Sequence, residues 1–111
     1  MSLKNLSERL ILVTLPPGRE IIDELKLLNE AVWSREDCDV VIDFSNVEMM
    51  TTVCINNLIV LLNLLHERGH RLILCSVAVQ TKCIFTVAGL DGIFEFADDK
   101  DAAVQALRQT K

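Results

Sequence analysis

Apolar and polar positions along the chain switch between two periods, and each switch marks an element. The run "RLILVTLP", Arg9 to Pro16, is rich in leucine and β-branched residues and is stopped by Pro16, Pro17 and Gly18, which predicts a strand ending in a turn. Ile21, Leu25, Leu28 and Val32 then recur at helical spacing, with Asp23, Glu24, Lys26 and Glu30 between them, and predict an amphipathic helix ending near Trp33. "DVVIDF", Asp39 to Phe44, is apolar on both faces, as a central strand covered above and below by helices requires. A second helix starts at a pair of threonines, Thr51 and Thr52, and runs to Gly69, a residue suited to the position just past a helix end. "RLILCSV" predicts a third buried strand, Thr81 to Ala88 a short helix closed by Gly89, and "GIFEFA" a short strand. "DKDAAVQALRQ" predicts a last helix whose acidic start suits the helix dipole.

This alternation of strands and helices predicts an α/β fold: one domain over residues 1–111, with a mixed but mostly parallel sheet of about four strands and about four helices joined by right-handed crossovers. In such folds, ligands and partners are met at the carboxyl ends of the strands. Thr51 and Thr52 fall at such a turn.

Composition narrows the function classes. At 111 residues, 50% apolar and 24% charged, the chain is long enough for one ordinary core and has the balance of a globular protein. The net charge of −5, with acid crowded into "DCD" and "DDKD", argues against nucleic acid and against anionic lipid as partners. Leu58 to Leu65 is interrupted by Asn63 and followed by His66, Glu67 and Arg68, so no run reaches the roughly 18 residues of a membrane span; a cytoplasmic protein without membrane insertion is expected. Cys38, Cys54, Cys75 and Cys83 form no ligand pattern, and the three lying in apolar runs read as small hydrophobes.

The threonine pair has a purely local role open to it. A threonine hydroxyl can accept a hydrogen bond from an orphan N–H of the first helical turn, which contributes about 1 kcal/mol. The surrounding pattern adds a second reading. "VVIDFSNVEMMTTVCINNLIVLLNLLHERGHRLILCSV", followed by "VAGLDGIFEF", resembles the STAS domain, the family of bacterial anti-sigma factor antagonists and of the cytosolic tails of sulphate transporters. The family's strand of the form "vvlDLSgV" is matched by Asp43, Phe44, Ser45 and Val47; its "DSSG" loop by Thr51, Thr52, Val53 and Cys54; and its "Gg" turn and "tGL…lF" segment by Gly69, Gly89, Leu90 and Phe94. The resemblance is clearest over residues 40–107; before Ser34 the usual "GelD" segment appears as "PPGRE".

The resemblance implies a protein-interaction domain whose partner is an anti-sigma factor or serine/threonine kinase. It places the phosphorylated serine of the antagonists at Thr52. A phosphate adds about −1.5 to −2 charges at a helix start, where a helix tolerates them and a packed partner surface does not. This chain departs from the motif: Thr51 replaces the aspartate, Val53 the second serine and Cys54 the glycine. Losing the aspartate removes a fixed charge beside the acceptor, and replacing the glycine puts a side chain where a kinase backbone would approach. A constitutive scaffold, or a subunit of a signalling or transporter complex without phosphorylation, is the alternative these departures keep open.

The helix after the threonines points to a partner surface independently. At about 100° per residue, Ile55, Leu58, Leu61, Leu62 and Leu65 gather on a core face. Thr52, Asn56, Val60, Asn63 and Glu67 fall opposite, with Val53 and Leu64 at the margin. Such a weakly charged stripe suits protein docking, because little charge has to be desolvated, although single exposed apolar residues are ordinary on any protein. Met50, Thr51, Thr52, Val53, Asn56, Val60 and Asn63 are the candidate partner-binding residues, Met49 and Met50 reading either as core filler or as a soft contact. No catalytic triad, phosphate-binding glycine loop or nucleotide signature is present, so no enzyme activity and no cofactor are expected. His66 and His70 stand four apart, but Gly69 should end the helix between them, so no metal is expected either. Asp43 reads as a buried or capping carboxylate, and a homodimer is left open.

Overall fold

The computed structural model describes residues 3–7, 10–16, 20–34, 38–47, 51–90 and 92–109. In chain order they form β1 (Leu3–Ser7), β2 (Leu10–Thr14), α1 (Glu20–Ser34), β3 (Asp39–Asp43), α2 (Thr52–Glu67), β4 (Leu72–Cys75), α3 (Val79–Val87), β5 (Glu95–Ala97) and α4 (Lys100–Gln109). The strands lie side by side in that same order, β2 to β5 parallel and β1 antiparallel to β2. The expected parallel strands and four helices are present. The first strand, β1, was not anticipated, because "LKNLS" has neither β-branched residues nor a continuous apolar run.

Strand alternation divides the core in two. Val40 and Ile42 of β3, with Leu72 and Leu74 of β4, point into a large cluster with Leu25 and Leu28 of α1, Leu58 and Leu61 of α2 and Phe85 of α3. Val41, Ile73 and Cys75 point the other way, onto Ala103 and Leu107 of α4. Three helices therefore cover one face of the sheet and α4 covers the other. Phe85 anchors α3, its ring centroid 5.4 Å from that of Phe94 and 5.7 Å from that of Phe96.

The helix ends explain why the chain turns where it does. After α2, Gly69 has a φ of 76°, while its N–H donates to His66 O at 3.1 Å and that of His70 donates to Leu65 O at 2.8 Å. Gly89 repeats this double closure after α3 with a φ of 75°. A left-handed residue paired with these two bonds satisfies the last helical carbonyls. Acidic residues open α1, whereas its last turn has no basic residue of its own. Arg68, just past α2, supplies the cation: Nη1 donates to Val32 O at 2.7 Å, Nη2 to Trp33 O at 3.3 Å, and the guanidinium lies 5.6 Å from the Trp33 ring centroid.

Two expectations need correcting. Cys38 is buried despite its acidic neighbours, while Cys83, from an apolar run, is exposed. Thr81 and Phe85 are the buried residues of α3, one turn apart, and this register turns Cys83 outward. The strand predicted from "GIFEFA" covers only Glu95–Ala97, since Gly92 and Ile93 form a turn closed by the bond from Ile93 N–H to Leu90 O, 3.0 Å.

Candidate partner-docking surface

The turn from β3 to α2 is built from backbone and short polar groups. Phe44 N–H donates to Cys75 O at 2.9 Å, carrying the β3–β4 ladder one residue past the strand end. Asp43 is buried; its Oδ1 accepts the Ser45 N–H at 2.9 Å, and its Oδ2 lies 3.7 Å from Lys100 Nζ at the start of α4. The Asp43 carboxylate thus holds the chain as it leaves the sheet, the capping role expected of it. Residues 48–50, including Met49 and Met50, lie outside the described residues.

Thr51 caps α2. Its φ of −96° and ψ of 166° are extended, and its Oγ1 accepts the Cys54 N–H at 3.4 Å. The same hydroxyl donates to Cys54 Sγ at 3.3 Å, so the cysteine standing at the glycine position of the family motif is part of the cap. Thr52 is the first residue of α2, and its side chain lies outside the described residues.

Beyond the cap, the helix divides as its period requires. Cys54, Ile55, Leu58, Leu61 and Leu65 are buried, and Leu62 and Leu64 are half-buried against the core. Val53, Asn56, Val60, Asn63 and Glu67 are exposed, with Val53 at 52% and Val60 at 58%. The candidate residues Val53, Asn56, Val60 and Asn63 therefore form one ridge running from the cap, and that ridge is uncharged until Glu67. It stands between two grooves. One, of about 570 Å³ between α1 and α2, is lined by Trp33, Asn57, Val60 and Leu64 among others; the second, of about 610 Å³ between α2 and α3, is lined by Ile59, Cys83, Ile84 and Val87 among others.

Sequence reasoning placed the ridge but not its flanks. Trp33 is 68% exposed and Val87 88% exposed, each in the last turn of its helix. Trp33 directly follows the core residue Val32, and that offset was the available signal. In the first groove Asn29 donates its Nδ2 to Leu25 O at 3.0 Å while its buried Oδ1 has no donor among the described residues.

At the carboxyl end of β4, burial pushes the Cys75 thiol up to about 11, helped by the Asp43 charge and opposed by Lys100. That sulfur stays protonated at neutral pH and is no nucleophile. The next residue, Ser76, has a φ of 56°, a left-handed conformation uncommon outside glycine, and it turns the chain toward α3. Among the described residues no group of three or more potential ligands is placed to hold a metal, and no helix is long and apolar enough to cross a membrane.

The fold belongs to a known class. A sequence model of the STAS domain matches residues 20–103, and the chain belongs to that family. Its structure is similar to that of a variant of RsbS from Moorella thermoacetica, with a TM-score of 0.84, 17% identity and coverage of 97% of this chain and 94% of that one. An anti-sigma-factor antagonist (STAS) domain protein from Planctomyces limnophilus matches with a TM-score of 0.83, 18% identity and coverage of 96% and 97%. The Bacillus cell fate determinant SpoIIAA in its phosphorylated form matches with a TM-score of 0.71, 12% identity and coverage of 94% and 96%. No curated protein matches the sequence.

Proposed function

We propose that the chain acts as an anti-sigma factor antagonist-like interaction module, docking an anti-sigma factor or serine/threonine kinase on the outer ridge of α2. The observation that carries this reading is the ridge itself: Val53, Asn56, Val60 and Asn63 are exposed, uncharged and aligned with the helix start. Such a surface is docked at a low desolvation cost. Membership of the STAS family and similarity to proteins named as anti-sigma factor antagonists support the same class of partner.

In this reading Thr52 is the regulated hydroxyl and Thr51 the structural one. Thr51 is engaged with the Cys54 N–H and Sγ, whereas Thr52 opens the helix, where the dipole favours added negative charge. A phosphate there repels or desolvates against a docked partner while leaving the helix intact. Constitutive scaffolding is the second reading, favoured by Cys54, whose side chain takes part in the cap at the motif's glycine position.

The test combines phosphorylation and binding with a kinase-type anti-sigma factor. After incubation with ATP, mass spectrometry is expected to find phosphate on Thr52, and Thr52→Glu is expected to weaken binding at least tenfold while Thr52→Ala retains it. Val60→Asp is expected to lose binding with the fold intact by circular dichroism. Unmodified threonines together with full binding by Thr52→Glu would leave the scaffold reading. Full binding by Val60→Asp would remove the ridge from the interface.

A further inference from the structure

The groove between α1 and α2 carries a pair of opposite charges, whereas the described lining of the α2–α3 groove carries none. Among the described residues the α1–α2 groove is lined by one lysine, Lys26, and one glutamate, Glu30, on a chain of net charge −5. Neither takes part in an ion pair among the described residues. The two stand one helical turn apart on the same helix, so a copy of α1 laid antiparallel places each Lys26 opposite the other copy's Glu30. Self-complementarity of this kind is what a two-fold interface needs.

An anchor is present as well. Trp33 is 68% exposed at the edge of this groove, and the Arg68 guanidinium, itself bonded to Val32 O and Trp33 O, lies against its ring. The stacked guanidinium limits the freedom of the indole, so less is lost when the ring is buried. Val60, 58% exposed, adds apolar surface on the α2 side of the same groove. A rigid tryptophan beside an exposed apolar side chain has the composition of an interface hot spot.

We propose that the α1–α2 groove is the face by which a second copy of this chain pairs with the first, in an antiparallel two-fold arrangement of α1 with Trp33 buried in each half. This surface is separate from the docking reading and does not rest on it, but Val60 belongs to both. The test uses the full chain alone, so a failure of the docking reading leaves its result unchanged.

Sedimentation equilibrium up to high micromolar concentration is expected to give twice the 12.5 kDa chain mass for the wild type. Lys26→Glu and Glu30→Lys are each expected to weaken pairing at least tenfold, since each sets like charges against one another twice per pair. Mixing the two variants is expected to restore a two-chain species, because their charges are then opposite at both contacts. Trp33→Ser is expected to be a single chain. All three positions are on the surface, and circular dichroism checks each fold. A wild type that remains a single chain would overturn the proposal, as would a pair that survives both charge reversals or a mixture that stays dissociated.

Discussion

The two ends of the sheet are built in opposite ways. At the amino end, Asp39 Oδ1 accepts the Arg71 N–H at 2.8 Å and stands 3.3 Å from His70 Nδ1. The Arg71 side chain continues from there, with Nε on Glu95 Oε1 at 2.9 Å, Nη2 on Glu95 Oε2 and Nη1 on Ala106 O at 3.2 Å. One network thus joins β3, β4, β5 and α4. At the carboxyl end the side-chain contacts are sparser: the Asp43 turn, its 3.7 Å approach to Lys100 and the 3.4 Å Thr51 cap, beside the backbone bonds from Leu15 N–H to Asp43 O and from Phe44 N–H to Cys75 O. The end that faces away from the proposed docking region is tied across several elements. The end that presents α2 is held mainly by backbone bonds and short local caps, which lets its side chains be varied without dismantling the sheet.

Three substitutions test this contrast. Arg71→Ala should be the most costly, about 1–2 kcal/mol by urea denaturation, because it leaves Ala106 O and Glu95 without their donor; the exposure of Glu95 keeps the figure modest. Thr51→Ala should cost about 0.5–1 kcal/mol, the lower part of the range for a cap given its long bond, and should leave partner binding little changed. Lys100→Ala should be nearly silent, within about 0.5 kcal/mol, since its side chain is half exposed and its Nζ stands 3.7 Å from Asp43. Equal losses for Arg71→Ala and Lys100→Ala would dissolve the distinction between the two ends.

Those same residues indicate what could be read in advance. The strands β3 and β4 and the helices α1 and α2 were legible because long apolar runs and helical spacing state both element and face, and Val60 and Asn63 appear where the period put them. The Thr51 cap was legible from chemistry local to the turn. The strand β1 was not, because its pairing with β2 stabilises a segment whose own residues do not favour a strand. Nor was the amino-end network: Asp39 and Arg71 are 32 residues apart, and only the parallel register of β3 and β4 brings them together. The grooves beside α2 likewise arise from how the helices sit against one another.

The single outward thiol gives the chain a natural reporter. Cys38, Cys54 and Cys75 are buried, and Cys75 is further quieted by its raised pKa, so a maleimide dye or spin label should react at Cys83 alone while the fold is intact. Cys83 lines the groove between α2 and α3, as does Asn56 of the ridge. A fluorophore fixed there would change its emission when a protein settles on the ridge. Pairing through α1 takes place on the far side of α2 and would leave it dark, so one label on the unaltered sequence could tell the two kinds of association apart.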